Sequence, residues 1–295
     1  MKLNIFCIGD IVGRPGRMIL ANQLFSFVKE NEMSNNNLHQ NQVEEQHEII
    51  NNISVENKEV KRTSHPDAQW FPEAGLGLFI HWSINSVWGM GDLSWPMMKS
   101  LPGNLSRRHK QVGIGAHWVN IRPVDYWALA EKFNPQKFDP DKILRAAKHA
   151  GCRYAVFTTK HHDGFAMWPS NFGELNTGKY LKGRDIVRDY VDACRRQNLK
   201  VGLYYSPPDW YFNRNFMSFS KHESIDMYYE PFDPKSISSE AQGRQHQKFM
   251  EYQRGQVTEL LTNYGQIDVL WFDGRWDNVM SVDEIRQLQP GIVLN

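Results

Sequence analysis

Residues 154–168 read YAVFTTKHHDGFAMW, and the change of polarity within them decides the fold class. The stretch opens with apolar, β-branched and aromatic residues, which suit a strand buried on both faces. It turns polar over residues 160–163, and Gly164 then interrupts it. Titratable side chains at the end of a buried strand are typical of the carboxyl-terminal rim of a (β/α) barrel. We therefore predict a barrel strand that ends in functional side chains.

Three other stretches combine an apolar run with polar residues at its end in the same way. They are residues 77–82 (GLFIHW), 201–206 (VGLYYS) and 267–274 (IDVLWFDG). Helical spacing of apolar residues lies between the strands, at residues 139–151, 184–197 and 244–264. Alternating strands and helices predict a parallel sheet with right-handed crossovers. With a short fifth strand at residues 292–294, we predict an α/β fold, a partial (β/α)8 barrel with about five of eight strands.

The chain divides into three predicted parts. Residues 1–30 form a short strand and helix that are unrelated to the barrel. Residues 31–67 are rich in Asn, Gln, Glu and His, a composition that buries too little apolar surface to order itself, so they form a polar linker. Residues 68–295 form the incomplete barrel domain. A parallel sheet that is not closed has open edges, so we expect self-association through them.

Composition excludes several classes of partner. The formal net charge of +1 gives no electrostatic reason for binding nucleic acid or an anionic membrane. No apolar run reaches membrane-spanning length, and no signal peptide is recognisable, so the chain as written is expected in the cytoplasm. Three widely spaced cysteines do not indicate a disulfide framework, and Cys152 and Cys194 are predicted to be small buried hydrophobic residues.

Asp273 is the first candidate for chemistry, since it ends a predicted barrel strand and Gly274 lets a ligand approach the backbone. A carboxylate there can attack an anomeric carbon or stabilise an oxocarbenium ion, although an Asp that caps a turn is also common. The side chains of His81, His161, His162 and Tyr204 would converge on the same rim, where imidazole and phenol groups suit sugar hydroxyls. Adjacent residues of a strand point to opposite faces, so His161 and His162 lack the usual spacing of metal ligands, and we predict no metal.

Five short motifs resemble those of the α-L-fucosidase family of retaining glycoside hydrolases. They are GLFIHW at residues 77–82, TKHHDGF at 159–165, RDIV at 184–187, VGLYYS at 201–206 and LWFDG at 270–274. The resemblance covers roughly residues 68–295. It implies a (β/α)8-like barrel, no cofactor, and hydrolysis of terminal α-L-fucosyl units of a fucosylated glycan or fucoside. Members of this family are often exported.

The resemblance also implies roles for individual residues. Asp273 matches the catalytic nucleophile of the family. The residues that match substrate-binding positions are His81, Trp95, His161, His162, Tyr204 and Trp271.

Two departures from the family pattern bear on activity. Ser94-Trp95 stands where the family commonly has Glu-Trp, so a carboxylate contact to the sugar is expected to be missing. The general acid/base Glu and a sugar-binding Arg of the family lie further downstream of the nucleophile than the 22 residues that follow Asp273 here. Glu284 falls in a predicted helix outside the barrel and is not assigned that role. A fucose-binding protein without turnover therefore remains an alternative.

The N-terminal segment has a resemblance of its own. Residues 1–17, MKLNIFCIGDIVGRPGR, resemble the start of calcineurin-like metallophosphoesterases. That resemblance implies a metal ligand at Asp10. One carboxylate cannot build a dinuclear site, which needs several convergent Asp, Asn and His ligands. A metal-dependent phosphodiesterase is accordingly the weakest of the three functional hypotheses.

Overall fold

A six-stranded sheet organises the part of the chain that the computed structural model describes, namely residues 4–9, 63–89, 93–99, 120–274 and 279–295. The strands lie in sequence order: β1 (Asn4–Gly9), β2 (Leu76–His81), β3 (Tyr154–Lys160), β4 (Lys200–Tyr205), β5 (Val269–Phe272) and β6 (Val293–Leu294). Strands β2 to β6 are parallel, and β1 runs antiparallel to β2. The predicted α/β class with a parallel sheet is confirmed.

The first strand belongs to the segment that was predicted to be unrelated to the barrel. It pairs with β2 over its whole length, from Asn4 opposite His81 to Gly9 opposite Leu76. Asp10, the predicted helix near residues 17–28 and most of the predicted linker lie outside the described residues. The division of the chain at residues 30 and 67 therefore stays a prediction.

Six α-helices are described. They are α1 (Pro123–Trp127), α2 (Pro140–His149), α3 (Thr177–Tyr180), α4 (Ile186–Arg196), α5 (Ser239–Thr262) and α6 (Val282–Leu288). Short 3-10 helices cover Pro66–Ala68, Phe71–Glu73, Ile84–Val87, Trp95–Met97, Ala128–Lys132 and Pro234–Ser236. Within the described ranges, no helix combines the length and the apolar composition that crossing a membrane requires.

Capping residues explain where the long helices begin. Asp139 accepts a hydrogen bond from the backbone N–H of Lys142, with Pro140 at the first helical position, as the sequence predicts. Helix α5 begins five residues before the predicted residue 244, because Ser238 caps it by accepting from the N–H of Ala241. A polar first turn carries no apolar periodicity, so the pattern of apolar residues misses it.

The two faces of the sheet bury different groups. The helices cover one face, where Ile80, Phe157 and Leu203 are fully buried. On the opposite face a smaller cluster includes Phe79, Tyr154, Val156, Tyr204 and Val269, with Trp70, Phe71, Trp271 and Val293 packed against it. Cys152 and Cys194 are buried as predicted.

A break in the regular alternation of β3 separates the two faces near its end. The register between β3 and β4 shifts between Thr158 and Lys160. As a result the Lys160 ammonium points among the helix-side residues, 4.5 Å from the ring centroid of Tyr205. Such irregularities redirect side chains and are frequent beside active sites.

Lys160 forms a fully buried ion pair with Asp209, whose carboxylate lies 2.9 Å from its ammonium. The hydroxyl of Tyr252 in α5 donates to the same carboxylate at 2.7 Å. Gly164 packs against it with a φ of +82°, and a Cβ there would lie 2.5 Å from an oxygen of Asp209. Charges without access to water must be paired, so Lys160 and Asp209 have to stay together. With Tyr252, their contacts hold β3, the segment after β4, and α5 against one another.

We expect Asp209→Ala to lower the free energy of unfolding by about 3–5 kcal/mol, because it leaves the Lys160 ammonium buried without a counter-charge. Urea denaturation measures the change. Arg244→Ala is the matched control, since it breaks an ion pair with Glu240 in which both side chains are exposed, and it should change the stability little. Equal effects of the two substitutions would contradict the importance of the buried pair.

Candidate active site

The carboxyl ends of the parallel strands bring five polar side chains together. His81 ends β2, His161 and His162 follow β3, Tyr204 lies near the end of β4, and Asp273 follows β5. Oδ2 of Asp273 lies 3.8 Å from Nε2 of His161 and 3.5 Å from Nε2 of His162. The hydroxyl of Tyr204 donates a hydrogen bond to the same oxygen. One carboxylate therefore faces two imidazoles and a phenol.

The aromatic rings of this group pack directly on one another. The rings of His81 and His161 have centroids 5.0 Å apart, and those of His161 and His162 are 4.3 Å apart. The ring of Tyr204 lies 5.2 Å from that of His81 and parallel to that of His161. The side chain of Asp273 is 42% exposed, whereas the two imidazoles beside it are buried. Asp273 is thus more exposed than the two imidazoles beside it, in a polar wall formed by His81, His161, His162, Tyr204 and Asp273.

Tryptophans flank the wall. Trp95 contacts His162 edge to face, with ring centroids 5.5 Å apart. Trp271 lies beside Tyr204 in the register of β4 and β5, and it packs on Phe79 at the face opposite the helices. All the residues assigned from the sequence therefore lie at or next to one edge of the sheet.

Trp210 was missed by the sequence analysis. Its ring lies 5.2 Å from that of His162 and 5.4 Å from that of Trp95. Its backbone N–H donates to the carbonyl of His162 at 2.8 Å. The signal available in the sequence was its position just after a predicted strand and the Pro207-Pro208 pair, which places it at the same rim.

The argument that His161 and His162 point to opposite faces does not hold in the structure. Strand alternation ends at Lys160, after the register shift, and both imidazoles face Asp273. One ligand atom from each of these three side chains lies within 4.8 Å of the others, so they could hold a metal ion. The absence of a metal stays a prediction.

Burial keeps the imidazoles neutral. It lowers the pKa of His81 to about 4, although the Asp273 carboxylate acts in the opposite direction. The pKa of His161 is lowered well below its usual value, by burial first and by the neighbouring histidines second. Burial also lowers the pKa of His162, against the effect of Asp273. A neutral imidazole offers one hydrogen-bond donor and one acceptor, which suits an uncharged polyol.

Ser94 does not face the carboxylate of the site. It is fully buried, its Oγ is hydrogen-bonded to Nδ1 of His161, and it accepts from the N–H of Asp163 at 3.0 Å. The Asp163 carboxylate accepts in turn from Ser83 at 2.6 Å and from Tyr126 at 2.9 Å. Burial raises the pKa of Asp163 to about 6. These residues form a second polar layer behind the imidazoles, and the sequence analysis assigned none of them a role.

Glu284 has the character of a structural residue. It lies in the first turn of α6, where it forms a capping box with Ser281, and it pairs with Arg254. The hydrogen bonds from Arg254 and Ser281 lower its pKa to about 2. A carboxyl group with so low a pKa is ionised at neutral pH and cannot serve as a general acid.

Both the sequence and the structure of the chain are similar to those of known proteins. The sequence profile described as Alpha-L-fucosidase matches residues 39–290. Tissue alpha-L-fucosidase of Rattus norvegicus is 28% identical over 221 residues, which are 72% of this chain and 41% of that protein. Plasma alpha-L-fucosidase of the same species is 30% identical over 218 residues, 71% of this chain and 40% of that protein. The chain thus spans about two fifths of the curated relatives it matches.

Solved structures give the same result. Alpha-L-fucosidase isoenzyme 1 from Paenibacillus thiaminolyticus superposes with a TM-score of 0.56 and 33% identity, over 78% of this chain and 49% of that chain. An alpha-L-fucosidase from Bacteroides thetaiotaomicron, solved as a covalent intermediate trapped with 2-fluoro-fucosyl fluoride, superposes with a TM-score of 0.56 and 26% identity, over 79% and 49% of the two chains. Since the family profile covers most of its residues, the chain belongs to the α-L-fucosidase family.

Proposed function

We propose that this chain carries the nucleophile and part of the fucose-binding wall of a retaining α-L-fucosidase. The observation that carries the proposal is the Asp273 carboxylate at the carboxyl edge of the parallel sheet, within 4 Å of two neutral imidazoles. Family membership supplies the substrate class, a terminal α-L-fucosyl unit of a glycan or fucoside. The trapped covalent intermediate of the bacterial relative supports a covalent route.

Asp273 has one oxygen held and one oxygen available. Oδ2 accepts from the Tyr204 hydroxyl and faces His161 and His162, whereas Oδ1 has no hydrogen-bond partner within the described parts of the chain. In the proposed reaction Oδ1 bonds to the anomeric carbon while the glycosidic bond breaks and the aglycone leaves with the electron pair. Water then hydrolyses the fucosyl ester, and retention of configuration results from the two displacements.

The side chains of the wall would bind the hydroxyl groups of the sugar by hydrogen bonds and its C–H surface by packing. The imidazoles of His81, His161 and His162 can each donate a hydrogen bond to a sugar hydroxyl or accept one from it. Trp95 and Trp271 present aromatic faces beside them, and such faces cover the apolar C–H surface of a sugar ring. We propose these five residues as substrate-binding, together with Tyr204, and we add Trp210 because it packs against both His162 and Trp95.

Protonation of the leaving group is a step that we assign to none of the described residues. Retaining hydrolysis uses a second carboxyl ~5–5.5 Å from the nucleophile. No second carboxylate shares a contact with Asp273 within the described ranges, and Glu284 is held by Arg254. Because Glu284 is held in this way, fucose binding without turnover is the second candidate function.

Two further expectations concern the surroundings of the chain. The cytoplasmic location expected from the sequence stays a prediction. Self-association through sheet edges also stays a prediction, and the outer strands of the sheet within the described residues are β1 and β6.

Asp273→Ala should reduce hydrolysis of an aryl α-L-fucoside by roughly three orders of magnitude or more, because it removes the nucleophile. An aryl group that leaves readily needs little protonation, so the assay does not depend on a general acid. Initial rates of aryl alcohol release give the measurement. Asp283→Ala, which removes an exposed carboxylate of α6, is the control and should retain the wild-type rate. An unchanged rate in Asp273→Ala would show that another group attacks the sugar.

A covalent adduct should form on the peptide that contains Asp273 when the protein is treated with 2-fluoro-fucosyl fluoride. The fluorine slows hydrolysis of the fucosyl ester and the fluoride leaves without protonation, so the ester accumulates. Peptide mass spectrometry locates the adduct, and Asp273→Ala should give none. Thermal stabilisation by L-fucose without adduct or hydrolysis would select the binding function over the enzymatic one.

The contribution of His81 to the stability of the protein should decline as the pH falls from 6.5 to about 4. The unfolded histidine takes up a proton in this range, whereas the folded one, with its pKa of about 4, does not. Asp163, with its raised pKa of about 6, acts in the opposite direction as the pH falls through 6.

Comparison of variants isolates the contribution of His81. Midpoints of urea denaturation, measured across this pH range, should depend less on pH in His81→Asn than in the wild type. His246→Asn replaces an exposed histidine of α5 and should leave the pH dependence as it is. Parallel pH profiles for His81→Asn and the wild type would contradict the lowered pKa.

A further inference from the structure

A hydroxyl side chain lies behind each imidazole of the candidate site, at its Nδ1 atom. The pairs are Ser94 with His161, Ser206 with His162, and Thr158 with His81. A neutral imidazole carries a single hydrogen, so the role of Nδ1 determines the role of Nε2. A hydroxyl also has a single hydrogen, and the other partners of each hydroxyl show where that hydrogen goes.

Ser94 donates its hydrogen to His161. Its Oγ accepts from the backbone N–H of Asp163 at 3.0 Å, and a backbone N–H can only donate. Nδ1 of His161 is the other partner of Oγ among the described residues. If the imidazole donated as well, the hydroxyl hydrogen of a fully buried serine would have no acceptor, which is costly. Nδ1 of His161 therefore accepts, and its hydrogen is on Nε2, facing Asp273.

Ser206 has the opposite arrangement. Its Oγ donates to the carbonyl of Pro208 at 2.9 Å, and a carbonyl can only accept. The hydroxyl hydrogen is thereby used, so Oγ accepts from Nδ1–H of His162. Nε2 of the neutral His162 is therefore bare and acts as an acceptor towards the site.

Thr158 repeats the arrangement of Ser206. Its Oγ1 donates to the carbonyl of Ile80 at 3.1 Å and lies 3.0 Å from Nδ1 of His81. Nδ1 of His81 consequently carries the hydrogen, and Nε2 of that ring is an acceptor. Two of the imidazoles thus share one tautomer, and the third, His161, which packs against both of the others, has the other.

We propose that Ser94, Ser206 and Thr158 are positioning residues that fix these tautomers, so that the site presents one N–H donor between two imidazole acceptors. This proposal deepens the proposed function. Its part on sugar specificity rests on that function, because it takes L-fucose as the ligand. The arrangement selects a ligand whose hydroxyl accepts from His161 while it donates to His162. One nitrogen or oxygen atom from each of His161, His162 and Asp273 lies within 4.8 Å of the other two, close enough for a single hydroxyl to bridge the two rings.

Specificity for hydroxyl groups follows from this pattern. A hydroxyl can accept and donate at once, whereas a fluorine or an ether oxygen in its place can only accept. Such a replacement would leave Nε2 of His162 or His81 without a donor inside a buried wall. The site should therefore distinguish L-fucose from its fluorinated analogues, although fluorine and hydroxyl are similar in size.

The tautomers can be read directly from the sugar-free protein. Two-bond ¹H–¹⁵N correlation spectra of the full chain labelled in histidine, at pH 7, distinguish Nε2–H from Nδ1–H rings, and single His→Asn variants assign the signals. We expect the Nε2–H form for His161 and the Nδ1–H form for His81 and His162. The same tautomer in all three rings, or the reverse assignment, would overturn the proposal, and the spectrum does not depend on whether the chain hydrolyses fucosides.

Variants test whether the hydroxyls are responsible. Ser94→Ala should shift His161 away from the Nε2–H form and weaken L-fucose binding by about tenfold, while Ser94→Thr, which retains the hydroxyl, restores the wild-type spectrum. Ser170→Ala is the matched control, because it removes a buried hydroxyl that bonds to Glu259 and touches no imidazole. Should Ser94→Ala fail to fold, the wild-type spectrum still decides. An unchanged His161 signal in a folded Ser94→Ala protein would contradict the proposal.

Ligand titrations test the specificity. L-fucose and its three monofluoro analogues at ring hydroxyl positions are titrated into the wild-type protein, and the histidine signals are followed. We expect at least one analogue to bind about tenfold or more weakly than L-fucose, owing to the lost donation to an imidazole. Equal affinities for all four sugars would overturn the specificity, whereas failure of L-fucose itself to bind would instead refute the proposed function.

Discussion

The buried ion pair between Lys160 and Asp209 is the contact on which the arrangement of the site depends. The register shift at the end of β3 turns Lys160 towards the helices, and this leaves His161 and His162 facing the carboxyl edge. Asp209 belongs to the segment after β4, so the pair joins the ends of two neighbouring strands. Because neither charge reaches water, each must keep its partner, and the geometry of the two strand ends is fixed.

The same contact sets the position of the aromatic residues. Trp210 follows Asp209 in sequence, its backbone binds the carbonyl of His162, and its ring packs against the rings of His162 and Trp95. An ion pair on the helix side of the sheet thereby positions aromatic rings at the carboxyl edge. Asp209 and Trp210 are neighbours in the chain, so fixing the first in a close-packed interior restrains the second.

The electrostatic character of the site follows from its burial. Desolvation keeps the imidazoles neutral, so the carboxylate of Asp273 is the charged group among them. Such a site does not attract anions, and its hydrogen-bonding groups are matched to an uncharged, hydroxyl-rich ligand. The hydroxyls of Ser94, Ser206 and Thr158 behind the imidazoles then decide which nitrogen of each ring carries a hydrogen. Hydrogen bonds at Nδ1 thus determine whether Nε2 of each imidazole donates or accepts towards the ligand.

The sequence by itself determined the parallel α/β order, most of the element boundaries, and the set of side chains at the strand ends. Apolar runs that end in polar residues are local features, and the carboxyl ends of parallel strands necessarily meet at one edge of a sheet. For this reason His81, Tyr204 and Asp273 could be grouped from the sequence before any distance was known. The same holds for the start of α2, where Asp139 and Pro140 form a local capping signal.

Tertiary structure alone decided the direction of the side chains after Thr158. The register shift is a property of the pairing of β3 with β4, so the alternation of residues within one strand does not reveal it. Because of this shift, the expectation that His161 and His162 point to opposite faces was wrong. Trp210 and Ser94 likewise acquire their contacts with the imidazoles from segments far apart in the chain. Which hydroxyl faces which ring nitrogen depends on the packing of several elements at once, and no residue pattern encodes it.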